Sequence, residues 1–205
     1  MIPKASGGSR PRDQRPITVL EVLYRLWSKG VVMEWGPALQ KSFLSPAAFG
    51  FRSESGTIHL AQLLSDVIVL QRRRKADLWL ASFDIEKCFD SLPWWALFSM
   101  LRAVGMRRGL VRAFSSFYTL LRRRFRYGQV DGAIWQAANG LAQGCPSSPD
   151  ILNILMEPFH RWARAAGFSV LVADHLIPSV SFADDLTLLA TSREEICSLV
   201  GAYLE

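Results

Sequence analysis

The stretch Val180-Ser181-Phe182-Ala183-Asp184-Asp185-Leu186-Thr187-Leu188-Leu189-Ala190, residues 180–190, reads as an apolar strand interrupted by two adjacent carboxylates. Val, Phe and Leu suit the pleated surface of a sheet, whereas two acids in the middle do not. The break is best placed at the tip of a hairpin, where Asp is favoured for local backbone hydrogen bonding. A second acid in a comparable place, Asp84, ends the run Leu78-Trp79-Leu80-Ala81-Ser82-Phe83, which is expected to be a largely buried strand. If the two strands are neighbours in one sheet, three carboxylates converge, and such a cluster needs a bound cation. Hard oxygen donors with no His or Cys nearby point to Mg2+ or Mn2+. A pair of such ions ~3.5–4 Å apart is the general device for in-line phosphoryl or nucleotidyl transfer.

Composition narrows the remaining choices. Half of the 205 residues are hydrophobic, which argues against general disorder and allows one domain, or a domain of two lobes, with a sizeable core. No apolar run approaches the ~18 residues of a membrane span, and the N-terminal residues lack the apolar segment of a secretory signal. The chain is therefore expected to be soluble and intracellular, in the nucleus or the cytoplasm. Cys88, Cys145 and Cys197 are odd in number and far apart, which fits neither a disulfide framework nor a zinc site. The net charge of +6 is concentrated in Arg72-Arg73-Arg74-Lys75 and Arg122-Arg123-Arg124-Phe125-Arg126, as expected for a polyanionic partner.

The element order is mixed α and β. Helical spacing is read over residues 18–32 with Thr18 as N-cap, over 58–70 running into the first basic run, over 94–104 after Ser91 as N-cap, and over 107–121. A further helix starts near Asp150 after the turn-rich Asn139 to Pro149, and Pro158 is expected to kink it or end it early. Residues 168–173 form another expected strand, and Ser192 with Glu195 has the pattern of a capping box for the last helix.

Several motifs occur in a telling order. Phe83-Asp84-Ile85-Glu86-Lys87-Cys88-Phe89-Asp90-Ser91-Leu92, then residues 140–159 (GLAQGCPSSPDILNILMEPF), then Phe182-Ala183-Asp184-Asp185 resemble three palm motifs of reverse transcriptases, most closely those of non-LTR retrotransposons. Upstream, Ile2-Pro3-Lys4, Arg15-Pro16-Ile17 and residues 48–57 (AFGFRSESGT) look like fingers segments of the same family. The resemblance covers nearly the whole chain. It implies an α+β, right-hand polymerase fingers–palm with an antiparallel palm sheet flanked by helices and no thumb, with residues 1–77 as partial fingers and 78–205 as partial palm.

The same resemblance implies RNA-directed DNA polymerase activity using an RNA template, a DNA primer, dNTP and two Mg2+ (or Mn2+) ions. Asp84 and Asp184 match the shared metal ligands, Asp185 a weaker one, and the carbonyl of Ile85 a further one. Phe89 matches the aromatic residue that excludes a ribose 2′-OH, and Gln143-Gly144 the loop at the nucleotide and template. Arg15 and Lys4 correspond to triphosphate-gripping positions. Arg52, Arg72, Arg73, Arg122, Arg123 and Arg124 correspond to nucleic-acid contacts. The chain stops before the family's later palm segments, so a fragment with weak or no activity alone is expected. The competing readings are a non-catalytic nucleic-acid-binding relic of a retroelement and an RNA-dependent RNA polymerase, against which Phe89 and Gln143-Gly144 speak.

Overall fold

The computed structural model describes residues 2, 3, 14, 15, 17–172 and 174–204. In chain order, the paired strands β1 (Ile2–Pro3) and β2 (Gln14–Arg15) precede the long helix α1 (Val22–Ser42). Helix α2 (Thr57–Arg74) leads to strand β3 (Trp79–Asp84), then to the short α3 (Cys88–Ser91), α4 (Trp94–Ala103) and α5 (Arg108–Leu120). The strands β4 (Arg122–Arg123), β5 (Arg126–Tyr127), β6 (Val130–Asp131) and β7 (Trp135–Gln136) make an antiparallel ribbon in which β4 pairs with β7 and β5 with β6. Helix α6 (Ser148–Ala165) is followed by β8 (Val170–Val172), β9 (His175–Ile177), β10 (Ser179–Phe182), β11 (Asp185–Ala190) and α7 (Arg193–Leu204). Mixed helix and antiparallel sheet is the expected class.

The chain divides into two compact units, Met1–Glu34 with Lys87–Ile151, and Trp35–Glu86 with Leu152–Glu205. In the first, α5 buries Val111, Phe114 and Tyr118, and α4 buries Leu97, Phe98 and Leu101. Aromatic side chains knit α1 to α5: Tyr24 stacks on Phe117 with ring centroids 3.4 Å apart, and Trp27 meets Phe114 at 4.9 Å.

The second unit is built on a three-stranded antiparallel sheet of order β10-β11-β3. Strand β11 is central, and its Leu186, Leu188, Leu189 and Ala190 are fully buried. Because opposed residues of an antiparallel pair share a face, the register sorts the side chains. One face carries Leu186, Leu188, Phe83, Ser179 and Ser181; there Phe83 packs on Tyr203 of α7, and both serines bond to His160 of α6. On the other face Val180 and Leu189 join Val67 of α2 and Val170 of β8 in a closed apolar cluster.

Four expectations require correction. Strand β3 is an edge strand and not a largely buried one: Trp79 and Leu80 are 41% and 46% exposed, because β11 occupies the centre of the sheet. Helix α1 starts at Val22 and runs through Pro37 to Ser42; Thr18 does not cap it, and its amide is donated to the carbonyl of Gln143 at 2.7 Å. Pro93, not Ser91, is the N-cap residue of α4. Helix α6 does not end early at Pro158 but runs on to Ala165, with the proline ring itself exposed. At α7 the amide of Glu195 bonds to Ser192 Oγ as the capping box requires, but the Glu195 carboxylate accepts from the amide and hydroxyl of Thr191.

His160 is a satisfied core histidine, with Nδ1 at 2.7 Å from Ser179 Oγ and Nε2 at 2.9 Å from Ser181 Oγ. Burial first, and the charge of Arg164 second, push its pKa down from 6.5 to about 4. The unfolded chain therefore binds a proton between these values that the folded chain refuses. Stability is complete above pH 6.5 and falls toward pH 4, by about 3 kcal/mol for this group. Urea unfolding across that window should show a loss in the wild type that is absent from His160→Gln and so appears in the difference between the two.

Candidate active site

The acid pair is set by the ladder between β11 and β3, in which Asp185 is the register partner of Asp84. Phe182 pairs with Asp185 across the hairpin, so Ala183 and Asp184 are the two turn residues. Ala183 takes φ +57 and Asp184 has no positive φ, the pattern of a type II′ hairpin turn, whose first position is usually Gly. Asp84 and Asp185 share the sheet face of Val180 and Leu189, but at its open end, where both are exposed, and Asp184 is half-buried beside them. The structure thus brings together the three acids singled out in the sequence, with Ile85 following Asp84.

Carboxylates opposed in a ladder repel each other. The Asp185 carboxyl is held above its ordinary pKa, by partial desolvation first and then by the negative charges of Asp184 and Asp84. Among the described residues no three His, Cys, Asp or Glu side chains close into a metal cage. What exists is an open row of carboxylate oxygens, and that donor chemistry fits Mg2+ or Mn2+, which keep waters and take substrate oxygens as further ligands. The register explains why the residue expected to be the weaker ligand, Asp185, is the one directly opposite Asp84.

The first unit gathers a second predicted group. Lys87 takes φ +53 before α3, and the loop after Asn139 is tied back to that helix: the amide of Leu141 donates to Phe89 O at 2.5 Å, and that of Gly140 to Leu92 O at 2.7 Å. Gly140 has φ +87, and a Cβ there would lie 2.7 Å from Asp90 O, so only glycine permits this approach. Gln143 Nε2 donates to Asp90 Oδ2 at 3.2 Å. Gly144 has φ +115, and the backbone that approaches it is that of Thr18, whose carbonyl a Cβ would meet at 2.6 Å. Behind the loop, a buried network joins Tyr24 Oη and Ser28 Oγ to Cys145 Sγ, Ser28 to Ser147, and Tyr118 Oη to Ser148. Burial and the neighbouring thiol raise the pKa of Tyr24, which stays a neutral hydroxyl in this network.

The predicted cations separate. Arg72 and Arg73 are exposed on the last turn of α2, while Arg74 donates to Leu171 O at 2.7 Å. In the ribbon Arg122 is exposed, Arg123 lies over the ring of Trp135, and Arg124 pairs with Asp131 at 3.0 Å, as does Arg126 at 2.7 Å. Arg52 spends its guanidinium on three backbone carbonyls, those of Ser45, Ala48 and Gln40. Lys4 lies outside the described residues, and of Arg15 only the strand backbone is described.

Sequence reading missed the buried polar stripe of α6. Asn153, Glu157 and His160 are each fully buried and bonded to Gly50 O, Ser45 N and the two serines of β10. Their i, i+4, i+7 spacing among the apolar residues of α6 was the available signal.

The second unit thus carries an antiparallel sheet with carboxylates at a hairpin turn and at the end of the neighbouring strand. The family profile described as reverse transcriptase (RNA-dependent DNA polymerase) matches residues 2–204, and the chain belongs to that family. It is 27% identical over 211 residues to the Pol polyprotein of the type-2 retrotransposable element R2DM of Drosophila melanogaster, covering 100% of this chain and 19% of that protein. It is 28% identical over 195 residues to the Pol polyprotein of the type-1 element R2 of Nasonia vitripennis, covering 95% and 18%. The chain thus spans about a fifth of the length of these curated relatives. Its fold is similar to that of telomerase from Candida tropicalis in complex with the TWJ fragment of telomeric RNA, with TM-score 0.60 and 14% identity over 87% of this chain and 30% of that one.

Removing one acid tests the repulsion directly. In the absence of divalent ions, Asp84→Asn should bring the Asp185 carboxyl back toward its ordinary titration range, followed by NMR. Its thermal midpoint should rise slightly, because the folded state then loses an uncompensated charge.

Proposed function

We propose that the chain carries RNA-directed DNA polymerase chemistry, joining a dNTP to a primer 3′-OH on an RNA template. The single observation that supports this best is the register pairing of Asp84 with Asp185 beside the Asp184 turn, within a chain of the reverse transcriptase family. Asp84 and Asp184, with Asp185 and the carbonyl of Ile85 as further donors, would hold two divalent ions. Bound there, the ions lower the pKa of the attacking hydroxyl and neutralise charge on the leaving phosphate.

The remaining roles belong to this chain's own groups. Phe89 presents a flat apolar ring that offers a ribose 2′-OH no partner, and so favours dNTP over rNTP. Gln143 and Gly144 border the nucleotide, with the Gln143 amide oriented by Asp90. Arg15 and Lys4 serve the triphosphate, since Arg donates two bonds at once and Lys supplies a point charge. Arg72, Arg73, Arg122, Arg123 and Arg124 contribute attraction to the phosphate backbone that carries no sequence information. The partners are an RNA template and a DNA primer, and among the described residues no helix is long and apolar enough to cross a membrane. The regions proposed as partial fingers and partial palm are 1–77 and 78–205.

The test is primer extension on an RNA template with dNTP or rNTP, by this chain alone and by a full-length relative whose matching segment is replaced by it. Extension by the chimera with dNTP, reduced about 100-fold or more by Asp84→Asn or Asp184→Asn, is the expected result. Phe89→Ala should admit rNTP. A chimera that binds RNA but never extends a primer would favour the relic, and an rNTP preference in the wild type would make the chain an RNA polymerase. Arg72→Ala and Arg122→Ala should each lower the slope of log K against log salt for duplex binding by about one.

A further inference from the structure

We infer that Gly50, Arg52 and Asn153 are positioning residues for the acid turn: the loop from Ser45 to Arg52 is a rest that fixes where Asp184 and Asp185 stand, and Arg52 locks that loop and does not grip nucleic acid. The inference deepens the polymerase reading and rests on it for its consequence in catalysis.

The turn needs such a rest. Ala183 holds a left-handed backbone that costs an L-residue about 1–2 kcal/mol, and such strain persists only where the surroundings over-determine it. The surroundings here are the loop's backbone. The amide of Phe49 donates to Ser181 O at 2.8 Å and that of Ser181 to Ala47 O at 2.9 Å, so the loop adds itself to the outer edge of β10 through a parallel bridge between Ala48 and Ser181. One residue on, Gly50 lies flat against the turn: a Cβ on it would sit 2.3 Å from the amide nitrogen of Ala183 and 3.1 Å from its Cα.

The loop is in turn tied down at three points. Asn153 Nδ2 donates to Gly50 O at 2.8 Å, and Glu157 Oε2 accepts the amide of Ser45 at 2.9 Å, both from the buried stripe of α6. Arg52 donates through Nη1 to Ser45 O at 2.6 Å and Ala48 O at 3.1 Å, and through Nη2 to Gln40 O at 3.1 Å. Gln40 lies in the last turn of α1, whose carbonyls have no intrahelical partner, so one guanidinium satisfies a helix end and the start and middle of the loop. A phosphate-gripping arginine needs its fork for the phosphate. Lysine retains the charge at this position but cannot span three carbonyls.

The experiment uses the full chain with Arg52→Lys, Arg52→Ala, Gly50→Ala and, as a control, Asp84→Asn. Hydrogen exchange is read over the 179–188 hairpin, Mn2+ binding by water-proton relaxation with the metal alone, and RNA–DNA duplex binding as a function of salt. Arg52→Lys and Gly50→Ala should both speed exchange at Ala183 to Leu186 and weaken Mn2+ binding about tenfold, with the salt slope unchanged. Wild-type hairpin exchange in either variant overturns the inference. So does a salt slope that falls by about one in Arg52→Ala and is restored in Arg52→Lys, the signature of a phosphate contact. Hairpin exchange does not depend on metal. If Asp84→Asn leaves Mn2+ binding unchanged while Arg52→Lys still loosens the hairpin, the metal reading fails and the positioning role stands.

Discussion

The second unit is organised around a repulsion. Asp84 and Asp185 face each other across an antiparallel ladder, and Asp184 is the second residue of a strained turn beside them. On the face of the two acids the apolar cluster of Val180 and Leu189 with Val67 and Val170 lies away from them, while on the opposite face Leu186, next to Asp185, is fully buried and its partner Phe83 packs on Tyr203. The same end of the sheet thus buries apolar side chains on one face and presents carboxylates on the other. The loop at 45–52 meets this end from outside, through its backbone bonds to Ser181 and the close approach of Gly50 to Ala183.

Buried polar groups of α6 tie that loop and β10 in place. Asn153, Glu157 and His160 project from one face of α6, each with a specific partner on the loop at 45–50 or on β10. Buried polar groups cost free energy unless satisfied, and once satisfied they allow one arrangement where apolar contacts allow several. A helix buried on most sides can therefore aim a hairpin as well as pack against it.

The first unit follows a similar rule on its own scale. The loop at 140–145 has two glycines where the backbones of Asp90 and Thr18 come too close for any Cβ, and a cysteine–serine–tyrosine network is buried beneath it. The loop is held through its main chain, and the Gln143 side chain is oriented by its bond to Asp90. Belonging to the reverse transcriptase family accounts for the occurrence of these parts together; the distances account for why particular residue types occupy them.

Much of this was legible in the chain itself. Asp84 at the end of one apolar run and Asp184-Asp185 inside another announced the acids, because a carboxylate in such a run has few structural excuses, and the ordered motifs identified the family. Helices α2 and α5 followed from apolar spacing, since that periodicity is a local property. Which strand lies at the centre was not local: β3 and β11 are equally apolar, yet β3 is the edge, because only the pairing order decides which of them has neighbours on both sides. Arg52 was expected as a nucleic-acid contact, and the three backbone carbonyls its guanidinium meets are brought to it by the fold. The amino-acid sequence determined which chemical groups this protein has and the short-range elements that carry them. Tertiary structure alone decided which acid faces which, and what holds them there, because register and long-range hydrogen bonds join residues about a hundred positions apart, at separations where no sequence period survives.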